Sequence, residues 1–321
     1  MSRIGIRIAI SLGIVRGVRQ ARYSRYVAIG DSQTEGLWDG DDVVGLQGFA
    51  DRLAEMLEAL YPGLLYANLA LRGKRLGEVL TEQVPQALAM KPDLITVCAG
   101  MNDVIAPGWS FPRALAELDY VYAALARSGA TVVTTTFPNV AQFLPFGRIV
   151  AKRLARMNHA ITVAARRYDF RLVDLYNAAS MRDWDTWSFD RVHASPKGHI
   201  LFAAAAAEAL NLPDSSHDWA AAHPNPTQLS IADGAYGRLR WTQDNFFPWV
   251  WRRMRGLSAA DGRSPKRPQL APVAAHRGTR DGAPMQGRAP GTAADSAAGS
   301  AAEIGAEIAA RSPHRSGILD P

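Results

Sequence analysis

Four short polar stretches hold the residues of this chain whose types and spacing could do chemistry. Gly30-Asp31-Ser32-Gln33-Thr34-Glu35-Gly36 sets a hydroxyl beside a carboxylate. Asn68-Leu69-Ala70-Leu71-Arg72-Gly73 ends in a glycine, and Gly100-Met101-Asn102-Asp103 offers a side-chain amide. Asp190-Arg191-Val192-His193 places a carboxylate three residues before an imidazole. A serine hydroxyl becomes a useful nucleophile only when a base takes its proton. Each stretch also has a purely structural reading: Asp31-Ser32 as a helix cap, Gly73 as a turn, Asn102-Asp103 as a turn or cap, and Asp190–His193 as a surface ion pair.

The elements that must position these residues alternate. Tyr26–Gly30, Leu65–Leu69, Leu94–Ala99, Thr131–Thr135 and Arg171–Leu175 read as short apolar or β-branched strands. Gln47–Leu60, Leu76–Met90, Pro112–Arg127 and Arg148–Tyr168 carry helical spacing, with Pro85 a kink or boundary. Ser195 is a good N-cap, Pro196 suits the first helical position, and the alanine-rich run continues to Leu210. Strands alternating with helices imply a parallel sheet covered on both faces. The expected fold class is α/β, a flavodoxin-like three-layer α/β/α sandwich on a five-stranded parallel sheet. Ligands in such sheets bind outside the carboxyl ends of the strands, and all four polar stretches follow strands. Their coincidence at one sheet edge favours chemistry over four separate caps and turns.

In this order the four stretches resemble the blocks of the SGNH hydrolases, the GDSL-like lipases, esterases and acylhydrolases, over about residues 24–212. Gly30-Asp31-Ser32 resembles the first block, Gly73 the second, Gly100–Asp103 the third and Asp190-x-x-His193 the last. Gln33 falls at a variable position. The resemblance implies the SGNH hydrolase fold and cleavage of carboxylic esters through an acyl-enzyme. It implies Ser32 as nucleophile, His193 as general base and then acid, and Asp190 as the group that holds the imidazole. It implies an oxyanion hole from the backbone N–H of Ser32 and Gly73 and the side-chain amide of Asn102, each donor worth about 2.7–4 kcal/mol of barrier. Asp31 and Asp103 are expected to support turns. The same residues would serve an acyltransferase or a thioesterase. The substrate class is a small-molecule, lipid or sugar ester.

No cofactor and no metal are implied. His159, His199, His217, His223, His276 and His314 are scattered, there is no His-Glu-x-x-His, and no glycine-rich nucleotide loop follows the first strand. Cys98, the single cysteine, rules out an intrachain disulfide and reads as a buried strand residue.

The charge pattern separates the chain into parts. The protein has 321 residues and a formal net charge of +6. Residues 1–25 hold six arginines and no acid, residues 26–235 have a net charge of −6, and residues 236–321 one of +6. The part that should do chemistry is acidic, which argues against nucleic acid as a partner. Residues 1–23 form a basic arm, too short and charged to span a bilayer, which takes about 20 apolar residues. It lacks a small-residue cleavage site, which favours a cytoplasmic location over secretion. Residues 24–212 form the catalytic domain and 213–255 a C-terminal extension. Within it, 236–255 interleaves Trp241, Phe246, Phe247, Trp249 and Trp251 with arginines. That segment reads either as a helix packed on the domain or as a surface that touches anionic membrane. The second reading, with the basic arm, supplies a non-enzymatic alternative, a peripheral membrane or interaction protein. Residues 256–321 are rich in Ala, Gly, Pro, Ser and Arg without an aromatic, and are expected to be disordered. Trp184 and Trp187 could wall an acyl pocket or anchor the histidine loop. Phe137-Pro138-Asn139 and the loops Pro107–Phe111 and Ala141–Gly147 are candidates for the cleft mouth.

Overall fold

The computed structural model describes residues 22–41, 45–106, 111–139, 147–224, 260 and 262–273. They all belong to one compact unit, Met1–Arg277; the second unit, Gly278–Pro321, lies outside the described residues. So do nearly all of the basic arm, the 236–255 segment and most of the two candidate mouth loops.

Five strands lie parallel: β1 (Arg25–Gly30), β4 (Leu65–Asn68), β5 (Leu94–Cys98), β6 (Thr131–Thr135) and β7 (Arg171–Val173). Between β1 and β4 come helix α1 (Ser32–Glu35), a small antiparallel pair, β2 (Gly40–Asp41) and β3 (Gly45–Leu46), and helix α2 (Phe49–Leu60). Helices α3 (Leu76–Glu78) and α4 (Val84–Ala89) precede β5, α5 (Met101–Ile105) and α6 (Phe111–Ala126) precede β6, and α7 (Gly147–Arg167) precedes β7. Helix α8 (Pro196–Ala209) follows, with Ser195 Oγ accepting from Gly198 N–H at its cap. A sixth strand, β8 (Arg267–Pro272), completes the sheet in the order β7-β6-β5-β1-β4-β8 and runs antiparallel to β4.

The expectation of a five-stranded, all-parallel, flavodoxin-like SGNH sheet is therefore corrected: the sheet has six strands and is mixed. The sixth strand comes from the stretch expected to be disordered, so that expectation also fails for residues 267–272. Its composition hides it because apolar burial is not what holds it. Lys266, just before it, donates to the carbonyls of Glu35 and Leu46 and to Asp51 Oδ2. Arg267 lies over the Tyr66 ring at 4.9 Å. Pro268 and Pro272 suit an edge strand, where a missing N–H costs nothing and blocks further pairing.

β4 pairs on one side of β1 and β5 on the other. The chain reverses its winding at β1, and right-handed crossovers then send successive helices to opposite faces. α2 packs against α8, while α6 packs against α3, α4 and α7. The crevice at such a reversal lies at the carboxyl end of β1, where Asp31 and Ser32 sit. The core beneath includes stacked Tyr26 and Tyr66 rings, 4.9 Å apart, with the Tyr26 hydroxyl bonded to Thr96.

The Leu76–Ala89 helix is not regular. Residues Val79–Gln83 form a π-helical turn immediately before α4. Pro85 lacks an N–H and its ring would meet the carbonyl four residues earlier, so widening the turn relieves both problems. The widened turn aims Gln83 at the end of β1, where its amide accepts from Gly30 N–H at 2.8 Å and donates to Gly30 O at 2.9 Å.

Lys266 and Asp51 form a nearly buried pair, so Lys266→Met leaves a carboxylate facing an apolar group. This variant should lose about 3–5 kcal/mol of unfolding free energy in urea titration. A loss within experimental error would show that β8 is dispensable.

Candidate active site

Ser32 owes its position to a tight joint. Gly30 has φ 147, and a Cβ there would lie 2.1 Å from the Cys98 carbonyl oxygen, so only glycine fits. Asp31 then caps α1, its Oδ1 accepting from Gln33 N–H at 3.2 Å. Ser32 opens the helix, which leaves its N–H without an intrahelical acceptor. Gln33 is more than a variable spacer: it donates to Val192 O at 2.9 Å and accepts from Ala194 N–H at 3.2 Å, tying the serine turn to the histidine loop.

That loop is a closed, anchored turn. Trp187 bridges Ala194, Ser188 N–H donates to His193 O, and Arg191 N–H donates to Ser188 O. Trp187 is buried with its indole N–H on Met181 O, and Trp184 lies under the Arg191 guanidinium at 4.3 Å. Both tryptophans thus anchor the loop.

The three residues implied by the resemblance meet in a chain. Ser32 Oγ is 2.8 Å from His193 Nε2, and His193 Nδ1 is 2.6 Å from Asp190 Oδ2. An ionised Asp190 can only accept, so Nδ1 carries the proton and Nε2 is left to accept from the serine hydroxyl. Asp190 accepts four further bonds: Trp38 Nε1 on Oδ2 at 2.6 Å, and Ser188 Oγ and the N–H groups of Val192 and His193 on Oδ1. Burial works against its charge, but the charge of His193 and these hydrogen bonds overcome burial and hold its carboxyl well below the usual range. Burial likewise opposes charge on His193, and the Asp190 charge and hydrogen bond outweigh it, raising the imidazole above its ordinary value.

The other two blocks border the serine. Gly73 lies in a turn at φ 80. Its neighbour Arg72 holds Glu35 through its backbone N–H and its guanidinium, a nearly buried ion pair at 3.0 Å that fastens this turn to the end of α1. Asn102 is on α5, not in a simple turn, and its amide donates to Lys74 O at 3.0 Å and to Asp31 Oδ2 at 3.3 Å. Burial pushes the Asp31 carboxyl up to about 6. Asp103 accepts from Leu76 N–H, and burial pushes its carboxyl up to about 7. Both acids therefore support backbone turns.

Sequence reasoning missed Gln33, Glu35, Arg72, Gln83 and Trp38. Their partners lie 37 to 161 residues away, with no periodic signal to link them. His199 is buried, its Nδ1 accepting from Phe49 N–H while Nε2 faces Leu37 O, and burial lowers it to about 3. Cys98 is a buried residue of β5. Among the described residues no group of three or more His, Cys, Asp or Glu is arranged to hold a metal ion, and no helix is long and apolar enough to cross a membrane.

Residues 28–201 match the GDSL-like Lipase/Acylhydrolase family, and the chain belongs to that family. It is a serine-hydrolase-type enzyme that cleaves esters. No curated protein matches it. Among solved structures it is similar to LAE5, described as an alpha/beta hydrolase enzyme from the metagenome of Lake Arreo, Spain. The two share 22% identity at a TM-score of 0.51, over 60% of this chain and 97% of LAE5. It is also similar to Axe2, an acetylxylan esterase from Geobacillus stearothermophilus, with 18% identity and a TM-score of 0.50, over 63% of this chain and 97% of Axe2. These likenesses speak to the fold, and with the six-stranded mixed sheet they overturn the five-stranded parallel expectation.

Asp103 offers a check on this electrostatic picture. An acid raised in the folded state binds its proton more tightly there than when unfolded, so it costs stability as pH rises through about 7 and not below about 4. Asp103→Asn cannot titrate. Unfolding titrations should show wild type gaining stability relative to this variant as pH falls from 8 to 4; a constant difference would refute the shift.

Proposed function

We propose that the enzyme cleaves carboxylic esters through an acyl-Ser32 intermediate, with His193 as general base and Asp190 as its orienting partner. The observation that carries this reading is the continuous chain from Ser32 Oγ through His193 to Asp190. As Ser32 Oγ attacks the carbonyl carbon, its proton passes to Nε2. Asp190 then faces an imidazolium, and its network of donors keeps it an anion throughout. The same proton next goes to the leaving alcohol oxygen. Water, deprotonated by His193, attacks the acyl carbon and returns Ser32.

The negative oxygen of each tetrahedral state needs donors fixed in advance. The Ser32 and Gly73 N–H groups and the Asn102 amide are the proposed set. Asn102 serves by releasing its long contact with Asp31, while its bond to Lys74 O holds the side chain in place.

An alkyl fluorophosphonate should label Ser32, and Ser32→Ala should abolish labelling and lower kcat at least about 10³-fold. Labelling at another residue, or full turnover by the variant, overturns the assignment. Asn102→Ala should lower kcat about 10²–10³-fold with little change in KM. The base must be neutral, so kcat/KM should fall as pH drops through a pKa above the usual histidine value, as the direction of the His193 shift requires. An acid limb at or below that value would contradict it.

A further inference from the structure

Beside the relay lies an aromatic pair whose ring faces the proposed reaction does not use. Trp38 is 37% exposed and Phe189 58% exposed, and their rings meet edge to face with centroids 4.5 Å apart. Phe189 directly precedes Asp190 at the tip of the histidine loop. Trp38 follows α1 at φ 71, a left-handed conformation that strains a bulky residue. Its neighbours hold it there: Asp39 N–H donates to Gly36 O, and the Asp39 carboxylate pairs with Arg52 at 2.7 Å. The indole Nε1–H donates at 2.6 Å to Asp190 Oδ2, the oxygen that also receives His193 Nδ1. A tryptophan with only a packing role would bury its rings; this one spends its N–H on the relay and leaves much of its surface, with that of Phe189, to solvent.

We propose that Trp38 is a positioning residue for Asp190, and that Trp38 and Phe189 together form a platform for the alcohol part of the ester, selecting alcohols that present a flat apolar face. This rests on the reading of Ser32, His193 and Asp190 given above. The leaving oxygen must come to His193 Nε2 to be protonated, whereas the carbonyl oxygen turns toward Gly73 and Asn102. Groups on the histidine loop therefore border the alcohol, and the pair lies on that loop and directly against it. An aryl ring and the C–H face of a pyranose share the required chemistry, since both stack on aromatic carbon.

The positioning role has its own signature. His193 faces Asp190, Asp31 and Arg72, and Asp190 also faces Arg191. Removing the indole donor concentrates the Asp190 charge on His193, which raises the imidazole further and frees the carboxylate to rotate.

The test uses full-length wild type, Trp38→Phe, Trp38→Tyr and Phe189→Ala on three acetates with a common acyl group: methyl acetate, phenyl acetate and an acetylated methyl pyranoside. Both Trp38 variants should lower kcat about tenfold on all three and move the acid limb of kcat/KM to higher pH. Phe189→Ala should raise KM for phenyl acetate, the pyranoside ester or both about fivefold more than for methyl acetate; which ester responds distinguishes aryl from sugar. An unmoved acid limb in both Trp38 variants, or an equal KM change on all three esters, overturns the proposal. Phosphonate labelling in the same preparations separates the two levels. Wild type unlabelled at Ser32 brings down the relay reading and this inference with it, while a labelled wild type with unmoved profiles brings down this inference alone.

Discussion

The joint between β1 and β5 at Gly30 is the constraint on which the site depends. The two backbones approach so closely that a Cβ at Gly30 would overlap the Cys98 carbonyl, and both polar backbone groups of Gly30 are taken by one side chain, Gln83. Everything that gives Ser32 its direction follows within six residues: the Asp31 cap, the single turn of α1 and its left-handed end at Gly36. So short a helix has almost no stability of its own. It is held by what reaches it from elsewhere: Gln33 from its own first turn to the histidine loop, Arg72 from the turn after β4, and Lys266 from before β8. The turn that carries Ser32 is thus a node where four distant segments are fastened together.

The acidic character of the middle of the chain has a physical resolution in how its buried carboxylates are treated. Glu35, Asp51 and Asp190 each meet a cation or a set of donors, through Arg72, Lys266 and the His193 loop. Asp31 and Asp103 accept hydrogen bonds and feel the charges of His193 and Arg75 respectively, yet burial outweighs these and moves both toward the neutral form. The difference sorts them by role. A buried carboxylate that stays charged, as the proposed cycle requires of Asp190, needs several donors, and Asp190 has five. One that only organises a turn can keep its proton.

The five parallel strands and their helices were legible because a strand buried on both faces writes a short apolar or β-branched run, as Tyr26–Gly30 and Leu94–Cys98 do with apolar residues and Thr131–Thr135 with β-branched ones. The meeting of Ser32, Asp190 and His193 was legible for a related reason: they sit in short blocks whose internal spacing is set by one turn of chain. Gln33 and Gln83 were not legible, because a polar residue that bonds to backbone 50 or 160 residues away leaves no local trace. Asn102-Asp103 reads as a turn or cap because both residues favour turns in isolation, whereas in the fold they lie on α5, a helix that packs on α6 and α7. β8 failed for the opposite reason. A segment with two prolines and no aromatic cannot bury itself, but it needs little of its own when β4 already presents an open edge.

Lys266 also changes the meaning of the basic flanks. Read as composition, an acidic domain between two cationic ends raises the question of what the cations face, and a membrane or a nucleic acid is the usual first thought. For the C-terminal flank part of the answer lies within the fold: Lys266 neutralises Asp51, and Arg267 lies on the face of Tyr66. Asp51 in turn caps the start of α2 through Gly48 N–H and receives the Tyr66 hydroxyl, so the cation stabilises a junction already built around an anion. The charge asymmetry between domain and flank then acts as a docking signal within one chain. It brings a segment of weak intrinsic structure back to an open sheet edge, and a segment so recruited lands against the backbone of Glu35, at the end of the helix that carries Ser32.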